Sequence, residues 1–247
     1  MSGHSHAKTV KATKDANAAV KGKIFSKMAR LISLAAKEGG NPEFNAKLKG
    51  AIDTAKKFNM PKDNIERAIK KGTGELEGEA LEAISVEILG PEGINIIVDG
   101  ITDNKNRSMG EIKQIAQKRG AKIANEGSVK WQFNQAGIIL INPKPEIRNP
   151  KEKENIELLA IEAGANDVRW QSDEEQEYLE IITKPEELAV VRKSLEEKGL
   201  VIESANLGWV AKEEIIASES DRKIAENLFD DLNESDSVQN IYSNLST

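Results

Sequence analysis

His4 and His6 are the only imidazoles among the 247 residues, and cysteine is absent. Acid–base, thiolate and thiolate-metal chemistry lose their usual carriers. Both histidines fall in a polar opening stretch that offers nothing to hold a general base within hydrogen-bond reach of a substrate. No glycine-rich phosphate loop ending in Lys-Ser or Lys-Thr, no dinucleotide fingerprint and no Gly-x-Ser-x-Gly elbow occurs. The 41 Asp and Glu would suffice for paired-carboxylate catalysis, but such abundance is also the ordinary surface of an acidic domain. With Met1 removed, Ser2-Gly3-His4 would offer an amine, two amide nitrogens and an imidazole to Cu(II) or Ni(II), an arrangement most such termini carry incidentally. The expectation is a non-enzyme with no cofactor and no metal.

Cations make the stronger pattern. Lys8, Lys11, Lys14 and Lys21 punctuate a stretch of Ala, Thr, Ser and Asn, and Lys23, Lys27, Arg30 and Lys37 follow at spacings of 4, 3 and 7. Such a series can follow a phosphate backbone without reading bases. With Lys56 and Lys57 these are the candidate nucleic-acid-binding residues, and a solvated helix face is the plainer alternative.

The elements that must position them are legible. The first twenty or so residues cannot bury an apolar face and read as a mobile basic arm. From Lys23, the apolar positions Ile24, Phe25, Met28, Ile32 and Ala35 predict an amphipathic helix ending at Gly39-Gly40, with the cations on a separate stripe. A second helix is predicted from about Asn45 to Phe58. A third opens at Pro61-Lys62-Asp63 and closes at Lys70-Lys71-Gly72. The polar, acidic stretch from Glu75 to Ala80 reads as a linker.

Beyond it the pattern turns to strands. Ala83–Leu89 and Ile94–Thr102 around Gly90-Pro91-Glu92-Gly93 predict a hairpin, followed by a helix capped at Ser108 and a strand over Gly127–Phe133. Residues Gly137 to about Ser204 read as βαββαβ, the ferredoxin-like order. A strand at Ala205–Val210, a helix at about Ser220–Leu232 and a strand at Val238–Tyr242 would complete a second sheet. The expected fold is therefore α+β. A basic arm and three-helix bundle (1–78) precedes a discontinuous α+β domain (79–134 plus 205–247), with a βαββαβ domain (135–204) inserted in it. Phe25, Phe44 and Phe58 read as core, and Trp131, Trp170 and Trp209 as buried strand residues. No strand carries the aromatic run of an RNA-recognition sheet.

The overall charge of −6 conceals a division. Up to Gly74 there are 16 basic and 6 acidic residues, net +10, whereas the remainder has 19 against 35, net −16. A head suited to a polyanion is joined to a body that repels one. No run is long and apolar enough to cross a bilayer, and the opening residues lack the apolar stretch of a secretory signal, so a cytoplasmic protein without membrane contact is expected.

Several blocks resemble the YebC/PmpR family. They are Gly3-His4-Ser5, Gly22-Lys23-Ile24-Phe25-Ser26-Lys27, Ala35-Ala36-Lys37-Glu38-Gly39-Gly40, the run from Asn59-Met60-Pro61 through Lys70-Lys71-Gly72, Leu89-Gly90-Pro91-Glu92-Gly93, Thr102-Asp103-Asn104-Lys105-Asn106-Arg107 and Glu126-Gly127-Ser128-Val129-Lys130-Trp131. The resemblance implies a helical N-terminal domain and two α+β domains, one inserted in the other. It also implies a cytoplasmic DNA-binding transcriptional regulator; mitochondrial relatives are translational activators, and bacterial members have been linked to ribosomes stalled on proline-rich sequences. The arm departs from the pattern: His6-Ala7-Lys8-Thr9-Val10-Lys11 lacks the family's tryptophan, so no role of that residue is carried over. DNA and ribosomal RNA remain alternative targets, and the acidic body could dock the ribosome or another protein. A protein-interaction adaptor whose basic head binds an acidic protein surface is the reading from another class.

Overall fold

A computed structural model describes residues 18–78, 80–142, 150–172 and 177–246. Three helices come first: α1 (Ala18–Ala36), α2 (Ala46–Lys57) and α3 (Lys62–Thr73). Helix α1 starts within the stretch expected to be arm. Ile24, Met28 and Ile32 of α1 pack with Leu48, Ile52 and Ala55 of α2 and Ile65 and Ala68 of α3. The 3.6-residue spacing of these positions is what turns one stripe of each helix inward. Asn45 fixes the turn between α1 and α2. Its side chain accepts from Leu48 N at 3.0 Å and donates to the carbonyls of Ala35 and Gly39, both at 2.8 Å. One residue thereby caps α2 and closes α1.

The first sheet contains β1 (Glu82–Leu89), β2 (Asn95–Thr102), β3 (Lys122–Ile123) and β8 (Val238–Ser243), in the order β3-β1-β2-β8. Strands β1 and β2 form the expected antiparallel hairpin, with Val86 opposite Val98. Helices α4 (Lys105–Lys118) and α7 (Glu219–Asn233) contribute Ile112, Ala116, Leu228 and Phe229 to a core with Ile84, Val86, Ile88, Ile96 and Val98. At Gly100 the register of β2 against β8 shifts, and a Cβ there would lie 2.4 Å from the Ser237 carbonyl. Only glycine permits that approach.

The second sheet contains β4 (Phe133–Ile141), β5 (Asp167–Ser172), β6 (Glu177–Thr183) and β7 (Ile202–Ala211), with helices α5 (Pro150–Glu162) and α6 (Leu188–Glu197). Its order, β5-β6-β4-β7, together with the chain path βαββαβ, is the ferredoxin-like plan. Ile139, Ile141, Leu179 and Ile181 meet Ile156, Ala160, Val191 and Leu195 in a separate core. The fold is thus α+β, a helical region followed by two four-stranded sheets.

The described chain forms two compact units. One contains the bundle and first sheet, up to Gln132, and resumes over Ala211–Ser246; the other is Phe133–Val210. The chain leaves the first sheet and later returns to it.

Local differences from the expected elements have identifiable causes. Residues 127–132 form no strand, because the Glu87 carboxylate accepts amide bonds from Gly127 at 2.6 Å, Val129 at 2.5 Å and Lys130 at 2.9 Å. Amides gathered by one carboxylate are not offered to a strand ladder. Trp131 consequently lies in a 3₁₀ turn and is 66% exposed, not buried in a strand. Helix α4 starts at Lys105 and not at Ser108, because the Asn104 side chain caps it by accepting from Arg107 N at 3.0 Å. Ser108 is buried one turn in, its hydroxyl 2.7 Å from that of Thr102. The strands expected at Leu200–Ser204 and Ala205–Val210 are one continuous strand, β7.

Candidate nucleic-acid interface

Lys23, Lys27 and Arg30 occupy one face of α1, as their spacing requires. That face meets the C-terminal end of α7 and the turn behind it. Lys23 forms an ion pair with Glu234. Lys27 donates to the Asn233 carbonyl at 2.8 Å, and Arg30 donates to the carbonyls of Asp236 at 3.1 Å and Ile101 at 3.3 Å. A helix C-terminus presents unpaired carbonyls and partial negative charge, so cations are favourable partners for it.

Lys27 is only 7% exposed. Burial disfavours its ammonium and lowers its pKa to about 8, while Asp236 and Glu234 oppose that shift and Lys23 and Arg30 add to it. Lys23 titrates above its ordinary value, chiefly because of its bond to Glu234. Just past the end of α1, Lys37 is exposed and donates to the Leu81 carbonyl at 2.6 Å. The inner stripe therefore has intramolecular partners along its length.

Other cations of the bundle face solvent. Lys21, Lys56 and Lys57 are exposed, as are Lys49, Arg67, Lys70 and Lys71, four cations outside the expected binding set. The signal for these four was available, since they occupy positions outside the apolar stripes of α2 and α3. Lys49 and Lys56 are seven residues apart and share one face of α2; Arg67, Lys70 and Lys71 share a side of α3. Lys49, Lys56, Arg67 and Lys70 have no ion-pair partner among the described residues. By contrast, Lys47 pairs with Glu38 at 2.6 Å and Lys62 with Glu66 at 3.4 Å. Lys8, Lys11 and Lys14, together with His4 and His6, lie outside the described residues.

The bundle also exposes an aromatic ring. Phe44, expected in the core, is 88% exposed in the turn that Asn45 secures. The position precedes the cap of α2, one residue before its apolar stripe begins, so the ring has no partner helix to enter.

Among the described residues, no group of three His, Asp or Glu side chains is arranged to hold a metal ion, and no helix is long and apolar enough to cross a membrane. The buried Glu87 carboxylate is held ionised. Burial alone would raise its pKa, but the amides of Gly127, Lys130 and Val129 and the charge of Lys130 together bring it below its ordinary value.

Comparison with known proteins covers nearly the whole chain. Residues 5–75 match the family model described as the TACO1/YebC protein N-terminal domain, and residues 81–245 match that of the TACO1/YebC second and third domain. A relative from Caldanaerobacter subterraneus subsp. tengcongensis, named a probable transcriptional regulatory protein, is 44% identical over 99% of this chain and 98% of its own. Another of that name from Geobacter sulfurreducens is 42% identical over 99% of this chain and 95% of its own. The crystal structure of a conserved hypothetical protein from Aquifex aeolicus superposes with a TM-score of 0.84 at 39% identity, covering 93% of this chain and 91% of that one.

Proposed function

The chain belongs to the TACO1/YebC family, and from that premise we propose that it is a non-enzymatic regulator of gene expression that binds nucleic acid through the solvent-facing cations of its helical bundle. The names of its relatives support a transcriptional regulator, and in this reading the nucleic acid is DNA. The observation that carries the binding mode is the set Lys49, Lys56, Arg67 and Lys70, exposed and without a compensating carboxylate among the described residues. Such cations gain by displacing the counterions condensed on a polyphosphate, and they need no base contact to do so. In this reading the acidic remainder of the chain keeps the polyanion to one side or docks a protein partner.

Titration of the full chain with duplex DNA and with structured RNA over a salt series tests the proposal. Affinity should fall as salt rises, and the variant carrying Lys49→Ala, Lys56→Ala and Lys70→Ala should show a log–log slope shallower by about 2 to 3, at about 0.7 to 0.9 per phosphate contact. Salt-independent binding by the wild type, or an unaltered slope in the variant, would overturn it.

Phe44 favours a second reading, a translational regulator whose bundle binds ribosomal RNA. An aromatic ring 88% exposed on a secured turn suits stacking on an unpaired base, which folded RNA offers and a closed duplex does not. Phe44→Ala should then weaken binding to structured RNA by about tenfold, from ~1–3 kcal/mol of stacking, and leave duplex DNA unaffected. Equal affinities of variant and wild type for RNA would remove this reading and leave the first.

A further inference from the structure

A cavity of about 340 Å³ opens beside the inner stripe, lined by Ser26 and Arg30 of α1, Lys37 just past its end, Lys71 and Gly72 of α3, and Gly78 of the linker, among others. Among the described residues, three of its lining side chains are cations and none is acidic. We propose that this cavity is a binding site for a phosphate monoester, with Arg30, Lys37 and Lys71 as its ligating cations.

The argument rests on how these charges are held. The acceptors of Arg30 and Lys37 are all carbonyl oxygens, those of Asp236, Ile101 and Leu81. Carbonyls orient a donor without neutralising it, so the positive charge facing the cavity remains uncompensated. Lys23 and Arg119 show the other arrangement in the same unit, each bonded to a carboxylate. The Lys71 ammonium has no hydrogen-bond or ion-pair partner among the described residues, and its methylene stem lies along Gly78, at 3.4 Å from where a Cβ would stand. Three acids act on this face of α1, Glu234, Asp236 and Asp103. None lines the cavity; Glu234 is paired with Lys23 and Asp103 with Arg107.

The wall also explains a glycine. A Cβ at Gly72 would lie 2.2 Å from the Ser33 carbonyl and 2.6 Å from the Ala36 Cβ, so α3 approaches α1 as closely as backbone permits. That approach brings Lys71 alongside Arg30 and Lys37 around one space. A guanidinium and two ammonium groups lining one small cavity match the oxygens of a phosphate dianion, and the volume leaves room for the group that carries it. The ligand could be a free small phosphate or the terminal phosphate of a polynucleotide.

The site is separate from the outward cations invoked for nucleic-acid binding, and its test is separable. Inorganic phosphate titrated into the full chain, followed by calorimetry, should bind saturably. Lys71→Ala should weaken that binding at least tenfold with an unchanged melting temperature, and Lys71→Arg should retain it. A 5′-phosphorylated oligonucleotide binding more tightly than its 5′-hydroxyl counterpart, with the preference lost in Lys71→Ala, identifies the polynucleotide end as the source. Phosphate binding with equal oligonucleotide affinities identifies a free small phosphate. Absence of saturable phosphate binding by the wild type, or equal binding by Lys71→Ala, overturns the site. Failure of the nucleic-acid reading would instead appear in the Lys49, Lys56 and Lys70 variant.

Discussion

The inner stripe of α1 and the outward faces of α2 and α3 are alike in composition and opposite in circumstance. Lys23, Lys27 and Arg30 contact Glu234 and the carbonyls of Asn233 and Asp236, whereas Lys49, Lys56, Arg67 and Lys70 face water. Part of the charge division between head and body is therefore satisfied within the molecule. A cation contributes to structure or to recognition according to what lies opposite it, and of these seven only the second set is without a fold contact along its charged face among the described residues. In the first, Arg30 alone keeps guanidinium donors beyond the Nη1 that bonds Asp236 and Ile101. The comparison breaks if mutations in the first set alter nucleic-acid affinity alone, or if mutations in the second alter stability.

The largest effect is expected from Lys27→Glu. A buried carboxylate would then face Glu234, Asp236 and the carbonyl end of α7 where an ammonium now stands. Uncompensated buried charge of this kind costs about 3–5 kcal/mol, and thermal denaturation should show a correspondingly lower transition. An unchanged transition would mean that α1 does not hold the end of α7.

Next in size is the outward triple variant. A slope change of about 2 to 3 corresponds to a hundredfold or greater loss of affinity near 0.1 M salt, if the two binding lines converge near 1 M. Its melting temperature should stay that of the wild type, since exposed substitutions away from caps and pairs rarely alter stability by more than about 0.5 kcal/mol. Reduced stability in this variant would place these lysines with the inner stripe.

The sequence carried the two faces of α1 but not what covers them. Helical spacing places Lys23, Lys27 and Arg30 on one side of α1, yet the partner of Lys23 lies 211 residues later, and no local pattern joins them. The helices, the hairpin and the βαββαβ order followed from apolar period, glycine and proline, all of which act over a few residues. What escaped was decided at long range. Glu87 of β1 gathers the amides of Gly127, Val129 and Lys130 about forty residues away and turns an apparent strand into a 3₁₀ turn, exposing Trp131. The exposure of Phe44 was hidden for a simpler reason: a single aromatic beside a helix start fits a core reading until the turn's direction is known.

The smallest effect is the most specific to the inner stripe, and it is read as a dependence on pH. The pKa of Lys27 is lowered in the folded protein to about 8 from an ordinary 10.5, so between these values the unfolded chain binds the proton and the folded chain does not. Stability contributed by this residue therefore rises with pH through that window, the reverse of a lysine strengthened by a carboxylate. Below pH 8 both states are charged, and the cost of burying the ammonium is carried in full. In the wild type, from pH 8 to 9.5, relief of that cost should add about 2 kcal/mol relative to Lys27→Met, at about 1.4 kcal/mol for each pH unit. Methionine has a similar length and no charge, so the variant removes the titration while keeping most of the packing. Chemical denaturation of both proteins at several pH values checks the difference. Parallel stability profiles would show that Lys27 remains protonated throughout, and that the carbonyl of Asn233 with Glu234 and Asp236 outweighs its burial.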